Sequence, residues 1–316
     1  MKFPKKLLLG IQEGSCNLKC PKCYTHGENL VSNNFRSKGI MDFDKFISLL
    51  DEVKTFNPRI GPQTWDEPFL NNRIMNYLSE IKLRNLEVTI DTNGLLLSKA
   101  DLVKLIDLEI DSVFISVDAF HAKTYKAVRG VDQLSKLENL IHEFIKIRGL
   151  NKLPRIGVSF VSEEENFLEI DLFVEKWSKV VDVIRINQKF LQGRSLKNRP
   201  VDSRTACWSL EDTLMIHHNG EAALCCVDTH NENKIGNVFD VGALAVWNGG
   251  YFNQVRADHE EGNFHKISIC KSCDLWSHSK PQNLEIGNLL ISKTLTHTYY
   301  NRIDKLDNIT KNNRFI

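Results

Sequence analysis

The chain of 316 residues has no surplus of either charge: 41 Lys+Arg against 40 Asp+Glu leave a net +1. Recognition of a nucleic acid or an anionic membrane needs a basic face, and this balance gives no reason to propose either partner. A long apolar run is lacking too. The N-terminus, "MKFPKKLLLGIQEG", has a basic start, but its apolar stretch covers only residues 7–9. That excludes a signal peptide and a membrane span there. With no export signal, the expected compartment is the reducing cytoplasm. Eight cysteines are then expected to bind metal rather than to pair as disulfides. Internal repeats and low-complexity tracts are absent as well, which excludes a solenoid.

What is present is an alternation of short apolar runs and amphipathic stretches. Residues 7–12, 86–94, 112–118, 155–161 and 183–187 read as strands, and 58–64 as a weaker one. Residues 99–108, 134–147 and 170–181 read as helices. "DFDKFISLLDEVKTF" (42–56) spaces Phe43, Phe46, Ile47, Leu50 and Val53 for one helical face, with Asp42 as N-cap. Six strands alternating with helices imply parallel βα units, whose functional residues follow strand ends. After a basic, aperiodic segment (192–204), residues 205–280 hold five of the eight cysteines in short strands and loops. Residues 287–316, rich in Asn, Lys and Thr, read as a surface helix or tail. The expected division is 1–195, 203–280 and 281–316.

The cysteines fall into two sets. "SCNLKCPKCY" (15–24) spaces Cys16, Cys20 and Cys23 as C-x3-C-x2-C just after the first strand. Three thiolates can hold three irons of a [4Fe–4S] cluster and leave the fourth open, as catalysis requires. A half zinc site completed elsewhere is the plain alternative. The spacing and position resemble the radical S-adenosylmethionine (SAM) superfamily. That resemblance implies that the open iron chelates SAM and that the reduced cluster releases a 5′-deoxyadenosyl radical, which takes a hydrogen atom from substrate. "WDEPFLN" (65–71) resembles the family's Gly-Gly-Glu-Pro segment. Glu67 and Pro68 match and imply contacts to the SAM amino group, while Trp65 and Asp66 replace the glycines. Asp66 stays among the SAM-contact candidates, with its side chain expected to point away. In "ISVDAFHAKTYKAVRG" (115–130), Ser116 and Asp118 are placed facing the SAM ribose and substrate. Lys22 departs from the apolar residue common before the third cysteine, and Tyr24 is the candidate for the adenine contact.

The second set is Cys207, Cys225, Cys270 and Cys273. It resembles the SPASM auxiliary-cluster module or its shortened twitch form, which implies a second, closed [4Fe–4S] cluster for electron transfer. A four-cysteine zinc knot has the same local spacing. Cys226 is left over, either a buried apolar residue or, as in radical SAM epimerases, a hydrogen-atom donor. His217 and His218 flank an Asn219-Gly220 turn and are expected to be exposed.

The implied fold is a partial, open (β/α)6 TIM-like barrel with a small cysteine-rich α+β module. The implied activity is dehydrogenation with electron transfer to the auxiliary cluster. The alternatives are epimerisation with Cys226 as donor and a non-catalytic zinc scaffold. With the first strand starting near residue 7, a leader-recognition domain has no room. This tilts the expected substrate toward a sugar, aminocyclitol or nucleoside, with a peptide as alternative. A flavodoxin- or ferredoxin-type protein is the expected reductant.

Overall fold

The computed structural model describes residues 2–23, 25–27, 38–188, 190–191, 194–195, 204–228, 231–271, 273, 276, 281–294 and 296–308. Tyr24 and most of the basic segment after residue 191 lie outside the described residues. The elements that carry the fold are, in order, β1 (Lys6–Leu9), α1 (Phe43–Val53), β2 (Arg59–Gly61), α2 (Ile74–Leu83), β3 (Thr89–Thr92), α3 (Lys99–Asp107), β4 (Ser112–Ser116), α4 (Ala122–Arg129), α5 (Leu134–Arg148), β5 (Arg155–Ser162), α6 (Ile170–Trp177) and β6 (Val183–Gln188). They continue with β7 (Thr213–Ile216), β8 (Ala222–Ala223), α7 (Gly250–Glu260), β9 (Gln282–Ile286), β10 (Leu289–Lys293) and β11 (His297–Arg302).

Two compact units interleave along the chain. One is built from residues 1–15, 32–88 and 190–278, the other from 16–31, 89–189 and 279–316. This division by packing differs from the linear division expected from the sequence. It gives each unit one set of cysteines.

In the first unit, β1 lies between two parallel neighbours, β2 on one edge and β7 on the other. Leu7 and Leu9 of β1 are wholly buried. α1 starts as expected: the Asp42 carboxylate accepts from Asp44 N at 3.1 Å and Lys45 N at 3.0 Å, which satisfies two otherwise orphaned donors. Its buried face is Phe46, Leu49, Leu50 and Val53. β7 turns into β8 through the Asn219-Gly220 corner, where Gly220 has φ +86°, a conformation other residues rarely adopt.

In the second unit, β3, β4, β5 and β6 pair in parallel, each reached through a helical crossover. Their near-continuous burial, broken only at the last residue of β4 and the last two of β5, is that of strands covered on both faces. Here the expectation for the C-terminal segment is corrected. Residues 282–302 are not a helix or a tail: they form β9, β10 and β11, an antiparallel meander joined to β6. A turn at Gly287 (φ +57°) joins the exposed β9 to β10, and burial alternates with period two along β10 and β11. Tyr299 closes the core against Phe114 and Val183. Among the described residues, no helix is long and apolar enough to cross a membrane.

Candidate functional site

The second unit holds the three-cysteine loop. A chain reversal shapes it: Cys23 N donates to Cys20 O and Gly27 N to Cys23 O, both at 2.9 Å. Gly27 is required because a Cβ there would lie 2.2 Å from Cys23 O. Each sulfur receives a donor. Leu18 N (3.5 Å) and Asn93 Nδ2 (4.0 Å) point at Cys16, Arg129 Nη1 (3.9 Å) at Cys20, and His26 N (3.4 Å) at Cys23. Asn93 lies just beyond β3 and Arg129 ends α4, so the parallel sheet delivers both groups to the loop. Burial pushes the Cys20 thiol up, and Arg129 works against it. N–H donors aimed at sulfur favour the thiolate that metal binding requires.

The strand-end residues chosen from the sequence are distributed differently. Ser116 is half-exposed at the end of β4 and accepts from Ser159 Oγ at 3.3 Å. Asp118 does not face outward. It is 7% exposed, in left-handed backbone (φ +62°), and its carboxylate accepts from Val161 N at 2.7 Å and pairs with Arg129 at 2.5 Å. Lys22 reaches the acidic run and pairs with Glu165 and Glu163.

In the first unit, "WDEPFLN" follows β2. Asp66 Oδ1 accepts from Ser15 N at 2.9 Å, so this side chain fixes the residue before Cys16. Glu67 is 3% exposed, and its Oε1 accepts from Phe69 N at 3.2 Å. Nearby, at the C-terminal ends of β1, β2 and β7, lies a polar cluster the sequence did not disclose. Glu13 accepts from Thr64 Oγ1 at 3.1 Å and bonds His217 Nδ1 at 2.9 Å and His218 Nδ1 at 3.0 Å. His217 and His218 are therefore not exposed turn residues; His217 is 6% exposed. Burial opposes ionisation of Glu13, but the two histidines outweigh it and hold its pKa at about 2.

The same unit gathers the other five cysteines. Burial pushes Cys207 up to about 11 and Cys270 up to about 12, and raises Cys225 and Cys226 too. The thiols also act on one another. Cys273 and Cys226 raise Cys207; Cys226 and Cys207 raise Cys225; Cys207 and Cys273 raise Cys270; Cys273 raises Cys226. Such mutual repulsion holds for groups near one another and would be relieved by bound cations. Backbone N–H groups of Ser209 and Leu210 point at Cys207, and those of Val227 and Asp228 at Cys225. Cys207 N donates to His259 Nδ1 at 3.2 Å. Burial, with Arg204 adding to it, lowers the His259 pKa to about 4, so its ring is the neutral acceptor this bond needs.

Both sets have the donor chemistry of iron–sulfur sites. Among the described residues, no three His, Cys, Asp or Glu side chains converge on a point for a single metal ion. Cluster thiolates each take their own iron and need no common point. Asn93, Arg129, Arg204 and His259 were not singled out in the sequence, although Asn93 stands in the strand-end segment "DTNG" (91–94) and Arg129 in the quoted "YKAVRG".

Comparison with known proteins agrees with this layout. Residues 14–165 match the radical SAM superfamily model, and residues 207–274 match the SPASM iron–sulfur cluster-binding domain. A tungsten-containing aldehyde ferredoxin oxidoreductase cofactor-modifying protein of Pyrococcus furiosus is 30% identical over 162 residues, 49% of this chain and 43% of that protein. The chain spans about half the length of the curated relatives it matches. Among solved structures, BtrN in complex with AdoMet and 2-DOIA superposes with a TM-score of 0.59 at 17% identity, covering 86% of this chain and 94% of that one. Streptococcus suis SuiB bound to the precursor peptide SuiA gives 0.66 at 14% identity, covering 87% and 72%. The likeness to these structures, with the open sheet of parallel βα units and the SPASM match, gives this chain an open, partial TIM-like barrel with a SPASM module as its fold. The chain belongs to the radical SAM superfamily, with an auxiliary SPASM module, and its cofactors are accordingly SAM and [4Fe–4S] clusters.

Proposed function

We propose that this enzyme oxidises a substrate carbon and removes the electron through its SPASM module. In this reading Cys16, Cys20 and Cys23 hold the SAM-binding cluster, and Cys207, Cys225, Cys270 and Cys273 hold the auxiliary one. SAM on the first cluster supplies a 5′-deoxyadenosyl radical able to take a hydrogen atom from carbon. Glu67, Ser116 and Tyr24 are proposed to orient SAM. Asp66 anchors Ser15 and so sets where the cysteine loop starts. Asn93 and Arg129 hold Cys16 and Cys20 in place from the sheet.

The observation that carries the oxidative reading is the second thiol set. Four cysteines from separate stretches of chain lie in one unit, near enough to act on one another electrostatically, and four thiolates would be enough to occupy every iron of a [4Fe–4S] cluster. A cluster closed in this way has no position for substrate and is suited to passing electrons. A small sugar, aminocyclitol or nucleoside is the proposed substrate class. BtrN, matched over 94% of its length with 2-DOIA bound, supports it. A peptide is the second class, supported by SuiB with SuiA.

The test is anaerobic reconstitution of the full chain. About eight irons with matching sulfide are expected, together with release of 5′-deoxyadenosine under a low-potential reductant. Cys16→Ala should remove about half the iron and abolish SAM cleavage. A Cys207→Ala/Cys225→Ala double variant should lose the other half but still cleave SAM. Zinc in place of iron at both sites would refute the reading.

A second reading rests on Cys226, the thiol that remains after the seven proposed ligands, next to Cys225 in sequence and near enough to Cys273 for the two to act on each other electrostatically. As a hydrogen-atom donor it would make the enzyme an epimerase. Turnover in deuterated water separates the two: epimerisation places one deuterium on the product carbon, and oxidation places none.

A further inference from the structure

Both thiol sets have an arginine against them, and the two arginines differ in what balances their charge. At the first set, Arg129 Nη1 reaches Cys20 Sγ at 3.9 Å while Nη2 pairs with Asp118 at 2.5 Å. Asp118 is itself fixed: its carboxylate accepts from Val161 N, and its backbone carbonyl accepts from Asn166 Nδ2 at 2.8 Å. The guanidinium therefore meets the sulfur as half of a neutral pair.

At the second set, Arg204 Nη2 donates to Cys270 O at 2.7 Å. Its guanidinium lies 4.1 Å from the Phe264 ring centre and 5.6 Å from that of Trp276, so two aromatic rings help to hold it in place. Among the described residues no carboxylate pairs with it, and its buried Nε has no partner. Burial disfavours its charge, and the groups that act in the opposite direction are the thiols of Cys270, Cys273 and Cys207. A fixed cation beside an iron–sulfur cluster stabilises the reduced, more negative form and raises its potential. A neutralised ion pair does so much less.

We infer that Arg204 is a positioning residue for electron flow: its charge, which no carboxylate among the described residues balances, makes the auxiliary cluster the better electron acceptor, while Asp118 cancels Arg129 and keeps the SAM-binding cluster strongly reducing. This rests on the oxidative reading above. In that reaction the adenosyl radical takes one hydrogen atom from a carbinol carbon. The remaining radical gives one electron to the auxiliary cluster and its hydroxyl proton to solvent, leaving a ketone. A ferredoxin- or flavodoxin-type protein supplies the electron spent on cleaving SAM.

The test is a redox titration of the reconstituted full chain without substrate, followed by electron paramagnetic resonance, with iron counted for each variant. In Arg204→Gln the auxiliary cluster should be at least tenfold less reduced at a fixed potential, a negative shift of about 59 mV for one electron. The SAM-binding cluster should not move, and Arg204→Lys should stay near the wild type. In Asp118→Asn the shift should be positive and confined to the SAM-binding cluster. Unchanged midpoints in Arg204→Gln with full iron would overturn the inference. If Arg204→Gln loses the auxiliary cluster, a wild-type potential in Arg204→Lys upholds the role of charge; loss in both variants makes Arg204 a structural clamp and overturns it. Potentials are read without substrate, so failure to oxidise a given compound leaves this result standing and counts only against the oxidative reading.

Discussion

Glu13 shows how much a single residue can contribute where three strands end. Its carboxylate, 4% exposed, ties β1 to the residues after β2 and β7 through Thr64, His217 and His218. Its pKa falls from 4.5 to about 2, because the histidine bonds outweigh burial. A group with a lowered pKa binds fewer protons folded than unfolded, so its stabilisation is full above pH 4.5 and lost as pH falls toward 2. His217 has the opposite sign. Burial opposes its charge, but Glu13 raises its pKa above 6.5, so its share is full below 6.5 and fades as pH rises through the raised value. The pair is strongest between those limits. Glu13→Gln should cost roughly 2–3 kcal/mol near pH 5.5, less than the full 1.36 kcal/mol per unit because the two titrations are coupled. Urea unfolding across pH would show the gap to the wild type shrinking below pH 4.5; a gap independent of pH would refute the ionic account. At this scale the sequence was only partly legible. Cys16, Cys20 and Cys23 declare themselves because their spacing is local. Glu13 and His217 stand 204 residues apart, and Arg129 and Cys20 stand 109 apart, so only the folded chain brings them together.

At the scale of elements, burial of polar groups decided which segments could be read. The six parallel strands are apolar enough to be read from their runs, and α1 from its spacing and its Asp42 cap. β9 to β11 are not: the Leu and Ile of β9 are exposed, β10 carries only three aliphatic residues, and β11 (His-Thr-Tyr-Tyr-Asn-Arg) carries none. What holds β11 in place is a buried polar contact: Arg155 Nη2 donates to Asn301 Oδ1 at 2.5 Å, and Asn301 Nδ2 donates to Leu290 O at 3.1 Å. Asn301 is wholly buried and Arg155 is 1% exposed. Burial lowers the Arg155 pKa to about 10, so loss of its partner leaves an expensive cation behind. Asn301→Ala should therefore destabilise by roughly 2–3 kcal/mol, the penalty for a buried charged donor left unsatisfied. The urea midpoint measures it. A loss under ~0.5 kcal/mol, ordinary for a surface site, would mean that β11 is held by Tyr299 and its apolar contacts alone.

For the whole chain, the order of segments in sequence is not their order in packing. Residues 1–195 hold the complete first cysteine set and all six parallel strands, and from the sequence they look like an autonomous barrel domain. The pairing says otherwise. β1 takes β7, from residues 213–216, as its second parallel neighbour, and β6 takes β11, from residues 297–302, as its antiparallel one. A fragment ending at residue 195 would lose both partners and expose two strand edges. One includes Leu7 and Leu9, the other Val183, Ile184 and Ile186, all buried in the full chain. Open apolar edges of this kind pair with other chains. The 1–195 fragment is therefore expected to aggregate or to unfold without cooperativity, even when its three cysteines are supplied with iron and sulfide. The full chain should remain a discrete species under the same conditions. Size-exclusion chromatography and urea unfolding of both chains decide it. A monodisperse, cooperatively folding 1–195 fragment would show that β7 and β11 only dress a domain already complete. Its failure would mean that β7, which lies within the second cysteine set, and β11, which follows it, are needed to build the units that hold both sets.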